Sequence, residues 1–372
     1  MAFRVVAVSR EFKEKLAKVR ALLNKKRKAA ALITSQANFS WLGCGGEARV
    51  AVSTEQASAA WLVKKDEVYL VANGIEVPRL QSEVLNALKF ETLEFDWHNP
   101  KGLLERIQEV ADPKRILADR HDCVKSPQSA AFAELRYSLC SEEVKRFRFL
   151  GKALEASIAA TAHGIRVGET ENEIAAQMTA ASIAVGLTPV VVLVAVDERI
   201  RRFRHPLPTN KKLKRHAMLI MCARYQGLIA SMTRTVYFGD VPPLLRKKHQ
   251  AACTVDVTLQ QATRVGVAAG RILKEGLRVY ADLGFGDEWK AHHQGGPCGY
   301  LPREYIVTPE MKTKVEASQP FTWNPTVAGT KSEDTVLVTP RGPEVITKSA
   351  DWPKTEVVLD KKRFNRYAIL DR

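Results

Sequence analysis

Few of the 372 residues could do chemistry, and they fall in three stretches of the C-terminal half. The first runs from Arg204 and His205 through a hairpin to Ser231 and Arg234. The second is Lys290-Ala-His-His-Gln-Gly-Gly-Pro-Cys-Gly-Tyr300, followed by Arg303 and Glu304. The third is Phe321-Thr-Trp-Asn-Pro325 with Lys331-Ser-Glu-Asp-Thr335. A histidine with an ordinary pKa of ~6.5 exchanges protons near neutrality, so His205, His292 and His293 are candidate acids and bases. Arg204, Arg234 and Arg303 could each grip a carboxylate through two N–H groups. For Arg234, inside a Thr-Arg-Thr strand, a structural role is the stronger expectation. Gly295, Gly296 and Gly299 would let backbone come close to a ligand. Cys298 beside a histidine could form a nucleophilic pair, although a cysteine is more often a small buried hydrophobe.

The elements that position these residues can be read from pattern. Ala217–Ala223 is an apolar strand, Leu228–Phe238 a return strand rich in Thr, Val and Tyr, and Tyr225-Gln226-Gly227 the turn between them. A turn centred between Tyr225 and Gln226 puts Ile220 directly opposite Ser231. His292 and His293, if extended, point to opposite faces, so only one would enter a shared site. Trp323 is expected in the core, with a site role raised only by its neighbour Asn324.

Upstream, residues 1–140 alternate strands and helices as an α/β layer does. Helices are expected over Glu11–Lys28, Glu76–Leu88 and Lys101–Val110. Strands are expected over 29–34, 50–53, 60–63, 67–71, 92–95 and 115–118. A boundary falls near Leu139–Ser141. Beyond it, Ser141 opens a helix to His163, and Thr170-x-x-Glu173 is a capping box for a helix to about Val185. Pro189–Val196 is a buried strand. Helices over 244–264 and 267–284 follow, so a helix–helix–strand order occurs twice between 141 and 372.

These motifs resemble the pita-bread family of methionine aminopeptidase, prolidase, Xaa-Pro aminopeptidase and creatinase. His205-Pro-Leu-Pro-Thr209 is similar to the family's His-x-x-x-Thr segment, and Ser231-Met-Thr-Arg-Thr235 to its Asp-x-Thr-Arg-Thr. The order of residues 1–140, with Asn38-Phe-Ser-Trp-Leu-Gly43, resembles the creatinase-type N-terminal domain. The resemblance implies an α/β (α+β) protein: an N-terminal creatinase/prolidase-like domain over 1–140 and a C-terminal pita-bread domain over 141–372. In that architecture Trp41 and Cys44 would be lid or core residues, and the N-terminal domain would support a homodimer.

The family's ligand set for two metal ions is two Asp, one His and two Glu. Its two Asp fall on Ile220 and Ser231, its first Glu on Asn324 and its second on Glu333. Its His falls on His292 or His293, and Arg303 stands where a second His precedes Glu304. Two dications need several carboxylates to offset their charge, so the resemblance implies a site without metal or other cofactor. Creatinase works without metal on this fold, with the His of the His-x-x-x segment as acid/base; His205 holds that place. The expected catalytic residues are therefore His205, His293 and Glu333. Arg204, Ile220, Ser231, His292, Arg303, Glu304, Trp323 and Asn324 are expected to bind substrate. The function implied is a metal-independent hydrolase or lyase acting on a C–N bond of a small polar or peptide-like substrate. The alternatives are a catalytically silent pita-bread protein that binds peptide, protein or RNA, and a true metallo-aminopeptidase.

Composition excludes some partners. No run of apolar residues is long enough for a membrane span, and charge enters the N-terminus too early for a secretory signal. Six cysteines without metal-type spacing read as reduced thiols of a cytoplasmic protein. The net charge of +16 is dispersed in short Lys/Arg runs, which favours at most weak, unspecific contact with nucleic acid.

Overall fold

The computed structural model describes residues 2–120 and 127–372, with side chains described from Arg10 onward; Cys123 lies outside the described residues. The chain divides into two units. One comprises Met1–Glu143 with Gln226–Leu228, the other Val144–Tyr225 with Ile229–Arg372. The division falls inside the first turn of the helix Ser141–Gly164.

The first unit holds a five-stranded sheet. Its strands are β1 (Ala30–Ser35), β2 (Gln56–Lys64), β3 (Val68–Asn73), β4 (Glu91–Phe95) and β5 (Ile116–Ala118), in the order β4-β3-β2-β1-β5. Pairing is antiparallel among β1, β2 and β3, and parallel for β3–β4 and β1–β5. The apolar runs of β1, β2 and β3 bury Ala30, Leu32, Leu62 and Val71 against Ile107 of the helix Gly102–Val110. The N-terminal helix begins at Ala2, well before Glu11, and ends at Lys26. Its Leu16, Val19 and Leu23, at helical spacing, are buried. Pro78 sits in the first turn of a short helix that continues as a π-turn over Leu80–Val84. No strand forms over 50–53, which are turn and bend. The Asn38–Leu42 stretch is a helix, Gln36–Leu42, capped by the Ser35 side chain. Trp41 and Cys44 are buried, the packing expected of core residues.

In the second unit the helices Ser141–Gly164 and Glu171–Ala184 precede β6 (Thr188–Val196), β7 (His216–Tyr225) and β8 (Leu228–Tyr237). The Thr170/Glu173 capping box is fully formed. The order then recurs. Helices Pro243–Ala262 and Ala269–Asp282 lead to β9 (Gly295–Pro297) and β10 (Pro320–Trp323). The short pair β11 (Thr326–Val327) and β12 (Thr330–Lys331) precedes β13 (Asp334–Thr339) and β14 (Gly342–Val345). The hairpin β15 (Lys354–Leu359) and β16 (Lys362–Tyr367) and the terminal β17 (Leu370–Asp371) complete the chain. Two four-stranded sheets result, β17-β8-β7-β6 and β14-β13-β10-β9. Strand alternation sorts the side chains of β10: Phe321 and Trp323 enter a core with Val255, Leu259, Ile272 and Tyr280, while Thr322 faces away.

The β7–β8 turn differs from expectation. β7 ends at Tyr225 and β8 starts at Leu228, so only Gln226 and Gly227 are in the turn, with φ of 46° and 78°. Positive φ at both central residues is what a two-residue type I′ turn requires. This register puts Cys222 opposite Ser231, and the Ser231 Oγ lies 3.0 Å from Cys222 Sγ. Ile220 therefore sits two residues further along the same face, beside Leu193 on β6, rather than directly opposite Ser231.

Candidate functional site

The two sheets of the second unit meet through hydroxyls. The Ser231 N–H donates to Thr335 Oγ1 at 2.9 Å, and Thr335 Oγ1 lies 2.8 Å from the Ser231 carbonyl and 2.8 Å from Thr322 Oγ1. Thr233, two residues on from Ser231, donates to Glu333 Oε2 at 2.6 Å. All these groups are buried. On the other face of β8, Arg234 pairs with Asp334 at 3.0 Å and lies under the Tyr367 ring, 3.9 Å from its centroid. Arg366 bridges Asp334, at 2.7 Å, to Asp256. This buried network fixes the Ser332–Thr335 segment from behind, the structural role expected for Arg234.

Glu333 is the centre of charge on the site side. Lys331 Nζ lies 2.8 Å from Oε2 and Arg303 Nη2 3.1 Å from Oε1. Burial alone would push the Glu333 carboxyl up; Lys331 and Arg303 outweigh it and hold it at about 2. The carboxylate is thus ionised and already saturated by two cations and a hydroxyl. Sequence reasoning missed Lys331. Its signal was available, because residues two apart in an extended chain share a side, and Lys331 is two from Glu333.

Three histidines converge near this ion cluster. His292 Nε2 lies 3.1 Å from His205 Nε2, and one ring nitrogen from each of His205, His292 and His293 falls within 4.8 Å of the others. His292 Nδ1 faces Thr326 Oγ1 at 3.4 Å, and His293 Nδ1 is buried without a hydrogen-bond partner. The adjacent pair enters the site together, against expectation. The reason is local: His292 ends a 3-10 turn over Glu288–Ala291, and β9 starts only at Gly295, so strand alternation does not govern the pair. Burial lowers all three imidazoles, with His292 driven to about 2 and His293 to about 4; Lys331 adds to the shift in each case. They are neutral at pH 7, able to accept a proton and reluctant to keep it.

The remaining expected residues divide. Asn324 is buried beside the cluster's strand, with Oδ1 unpartnered and its N–H bonded to the Gln294 carbonyl. A side chain on Gly295, at φ 105°, would strike the Thr322 carbonyl and Asn324 Oδ1, which is why glycine is needed there. Ile220 packs with Leu193, Ala195, Ile200 and Met218, an apolar cluster rather than a substrate contact. Trp323 belongs to the core and bonds Thr263 Oγ1 at 2.9 Å, so it does not line the site. Arg204 is paired with Glu288 at 2.7 Å, and Arg303 with Glu333, so neither guanidinium is left unpaired as a substrate clamp. Glu304 accepts the Tyr300 N–H at 3.1 Å, a turn-forming contact. Cys298 is buried, its thiol pushed up to about 12, which removes it as a nucleophile.

A mixed α/β fold in two units, with paired helix–helix–sheet halves and a site between the sheets, defines a pita-bread protein of the peptidase class. The chain belongs to metallopeptidase family M24, matched over residues 145–340, more than half its length. Among curated relatives, an "uncharacterized peptidase" of Staphylococcus haemolyticus is 23% identical over 79% of this chain and 95% of its own. The Xaa-Pro dipeptidase of Pyrococcus horikoshii is 20% identical over 77% of each chain. Among solved structures, dipeptidase PepE from Mycobacterium ulcerans superposes with a TM-score of 0.76 at 18% identity, covering 97% of this chain and 98% of that one. The N-terminal domain of FACT complex subunit SPT16 from chickpea superposes at 0.69 with 10% identity, covering 91% and 96%.

The family's metal pair does not fit these residues. Ile220 offers an apolar side chain inside an apolar cluster, Ser231 a hydroxyl against a thiol, and Asn324 a neutral amide. Glu333, the one carboxylate at the places the resemblance assigns to ligands, already has Arg303 on one oxygen and Lys331 with Thr233 on the other. Two ions need several carboxylates, and here the protein's own cations supply the positive charge.

Proposed function

We propose that this M24 chain breaks a C–N bond of a small polar or peptide-like substrate, as a hydrolase or lyase, without the family's carboxylate-held metal pair. His205 is the proton carrier of this reading. It stands at the exposed edge of the histidine cluster, within hydrogen-bond reach of His292. Its imidazole, lowered by burial, accepts a proton at neutral pH and returns it readily. His292 and His293 hold the ring and relay the proton. The Lys331–Glu333–Arg303 cluster provides a fixed field with one net positive charge, suited to negative charge developing on a carbonyl oxygen. The observation that carries the reading is Glu333 saturated by Lys331 and Arg303. The reading takes the chain as cytoplasmic, which five free cysteines among the described residues support.

The test is a panel of Xaa-Pro dipeptides, N-terminal peptides and small guanidino and ureido compounds, assayed with chelator-treated protein. Turnover that survives chelation and disappears in His205→Gln supports the reading. Turnover that requires added metal, or no turnover on any compound, counts against it. The second reading, a silent binding module, draws on the fold shared with a protein described as a subunit of the FACT complex. It gains if the panel gives nothing while the chain captures a partner that the His205→Gln variant also captures.

A further inference from the structure

We infer that His205, His292 and His293 form a binding site for one transition-metal ion, distinct in ligands from the family's two-metal centre. Three imidazole nitrogens within 4.8 Å of one another are a mononuclear ligand set. Tetrahedral coordination with Zn–N of about 2.0–2.1 Å places ligand nitrogens about 3.3 Å apart. The His205–His292 separation of 3.1 Å already matches that spacing, and a nitrogen of the third ring lies within 4.8 Å of both.

Other details fit an ion. His292 turns its second nitrogen to Thr326 Oγ1, the kind of outer contact that orients a ligating ring. His293 Nδ1 is buried with no hydrogen-bond partner, a lone pair or N–H left without an occupant. Two separate elements deliver the rings: the loop after the helix Glu198–Arg202 brings His205, and the end of the 3-10 turn Glu288–Ala291 brings the consecutive His292 and His293. The ligand chemistry selects the ion. An all-imidazole set suits zinc, cobalt, nickel or copper, whereas magnesium, calcium and manganese prefer oxygen. Three protein ligands leave a fourth position open at the exposed His205 edge. Lys331 and Arg303 against Glu333 leave one net positive charge nearby. That charge opposes a dication and favours an anion, hydroxide or a substrate carboxylate, as its fourth ligand.

The site stands whether or not the chain is an enzyme. If the proposed function holds, an ion on His205 occupies the lone pair that would accept the proton, so loading inhibits turnover. Chelator-stripped full-length protein is titrated with Co²⁺, followed by its visible ligand-field bands, and with Zn²⁺ by calorimetry. The expected result is one ion per chain, with tetrahedral-type cobalt bands. Affinity falls by at least about tenfold in His293→Gln and in His205→Gln. His205→Gln alters a ring at the exposed edge and keeps the measurement open should a buried variant fail to fold. His98→Ala, an exposed histidine of the first unit, binds as the unaltered protein does. Binding that is absent, or that is unchanged in both His205→Gln and His293→Gln, overturns the site. Two ions per chain would also overturn it and restore a two-metal centre. Turnover unaffected by bound zinc would leave the site intact and refute His205 as the proton carrier.

Discussion

Replacing Lys331 with Met removes the ammonium from Glu333 while keeping most of the side chain's length and volume. Lys331 is 5% and Glu333 3% exposed, so the pair is desolvated. The Glu333 carboxyl stands at about 2 against an ordinary 4.5. That difference of roughly 2.5 units, at about 1.36 kcal/mol each, makes its ionised form worth roughly 3 kcal/mol to the fold. The folded value is depressed, so this stability is present above pH ~4.5 and is lost as pH falls toward 2. Of the two cations Lys331 has the larger effect and also donates a hydrogen bond to Glu333. Breaking a buried pair from one side costs about 3–5 kcal/mol. Arg303 and Thr233 remain on the carboxylate, so Lys331→Met should cost about 2–3 kcal/mol at pH 7 by urea unfolding. Its stability should begin to fall at higher pH than the unaltered protein's, because burial then pushes the carboxyl upward. Adding Glu333→Gln should restore part of the loss, since no buried charge is left unpaired. A variant within about 0.5 kcal/mol of the parent, with the same acid profile, would show that Lys331 does not neutralise Glu333. Glu333 would then carry a charge that Lys331 leaves open to a metal ion.

Four further outcomes are expected. Arg366→Leu leaves Asp256 and Asp334 buried beside each other and should cost about 3–5 kcal/mol; circular dichroism in urea measures it, and a loss below about 1 kcal/mol would make the network dispensable. His216 and His249 are buried and lowered by burial to about 4; stability should fall as pH drops from 6.5 through 4, by roughly 3 kcal/mol for each ring, and an unfolding midpoint flat over that range would refute it. Thr170→Ala removes the capping box before the helix Glu171–Ala184 and should cost about 1 kcal/mol, with Thr170→Ser recovering most of it. Sedimentation at micromolar concentration should give a homodimer through residues 1–140; a stable species at 41.4 kDa counts against it, as a nucleic-acid complex surviving about 0.2 M salt would count against weak, unspecific binding.

The parts of the fold that follow local rules were legible in the sequence. The capping box at Thr170, the apolar strand ending at Val196 and the paired helices of each half depend on spacing and capping, which a sequence displays directly. The register of the hairpin was not legible, because it turns on whether Gln226 accepts a positive φ, a choice that residue type only weakly biases. A one-residue shift of the turn's centre moved the partner of Ser231 from Ile220 to Cys222 while leaving both on one face. The histidine pair failed differently. Opposite faces follow only if His292 and His293 lie in a strand, and the 3-10 turn before them lies in a stretch without apolar alternation to announce it. For Lys331 the sequence shows only that it is two residues from Glu333 in an extended stretch, which puts the side chains on one side but does not show that they pair. A buried, ionised Glu333 needs positive charge beside it, and Lys331 and Arg303 supply it. A carboxylate held ionised by two cations, one of which also acts on all three converging histidines, joins the ion cluster and the imidazoles into one electrostatic unit.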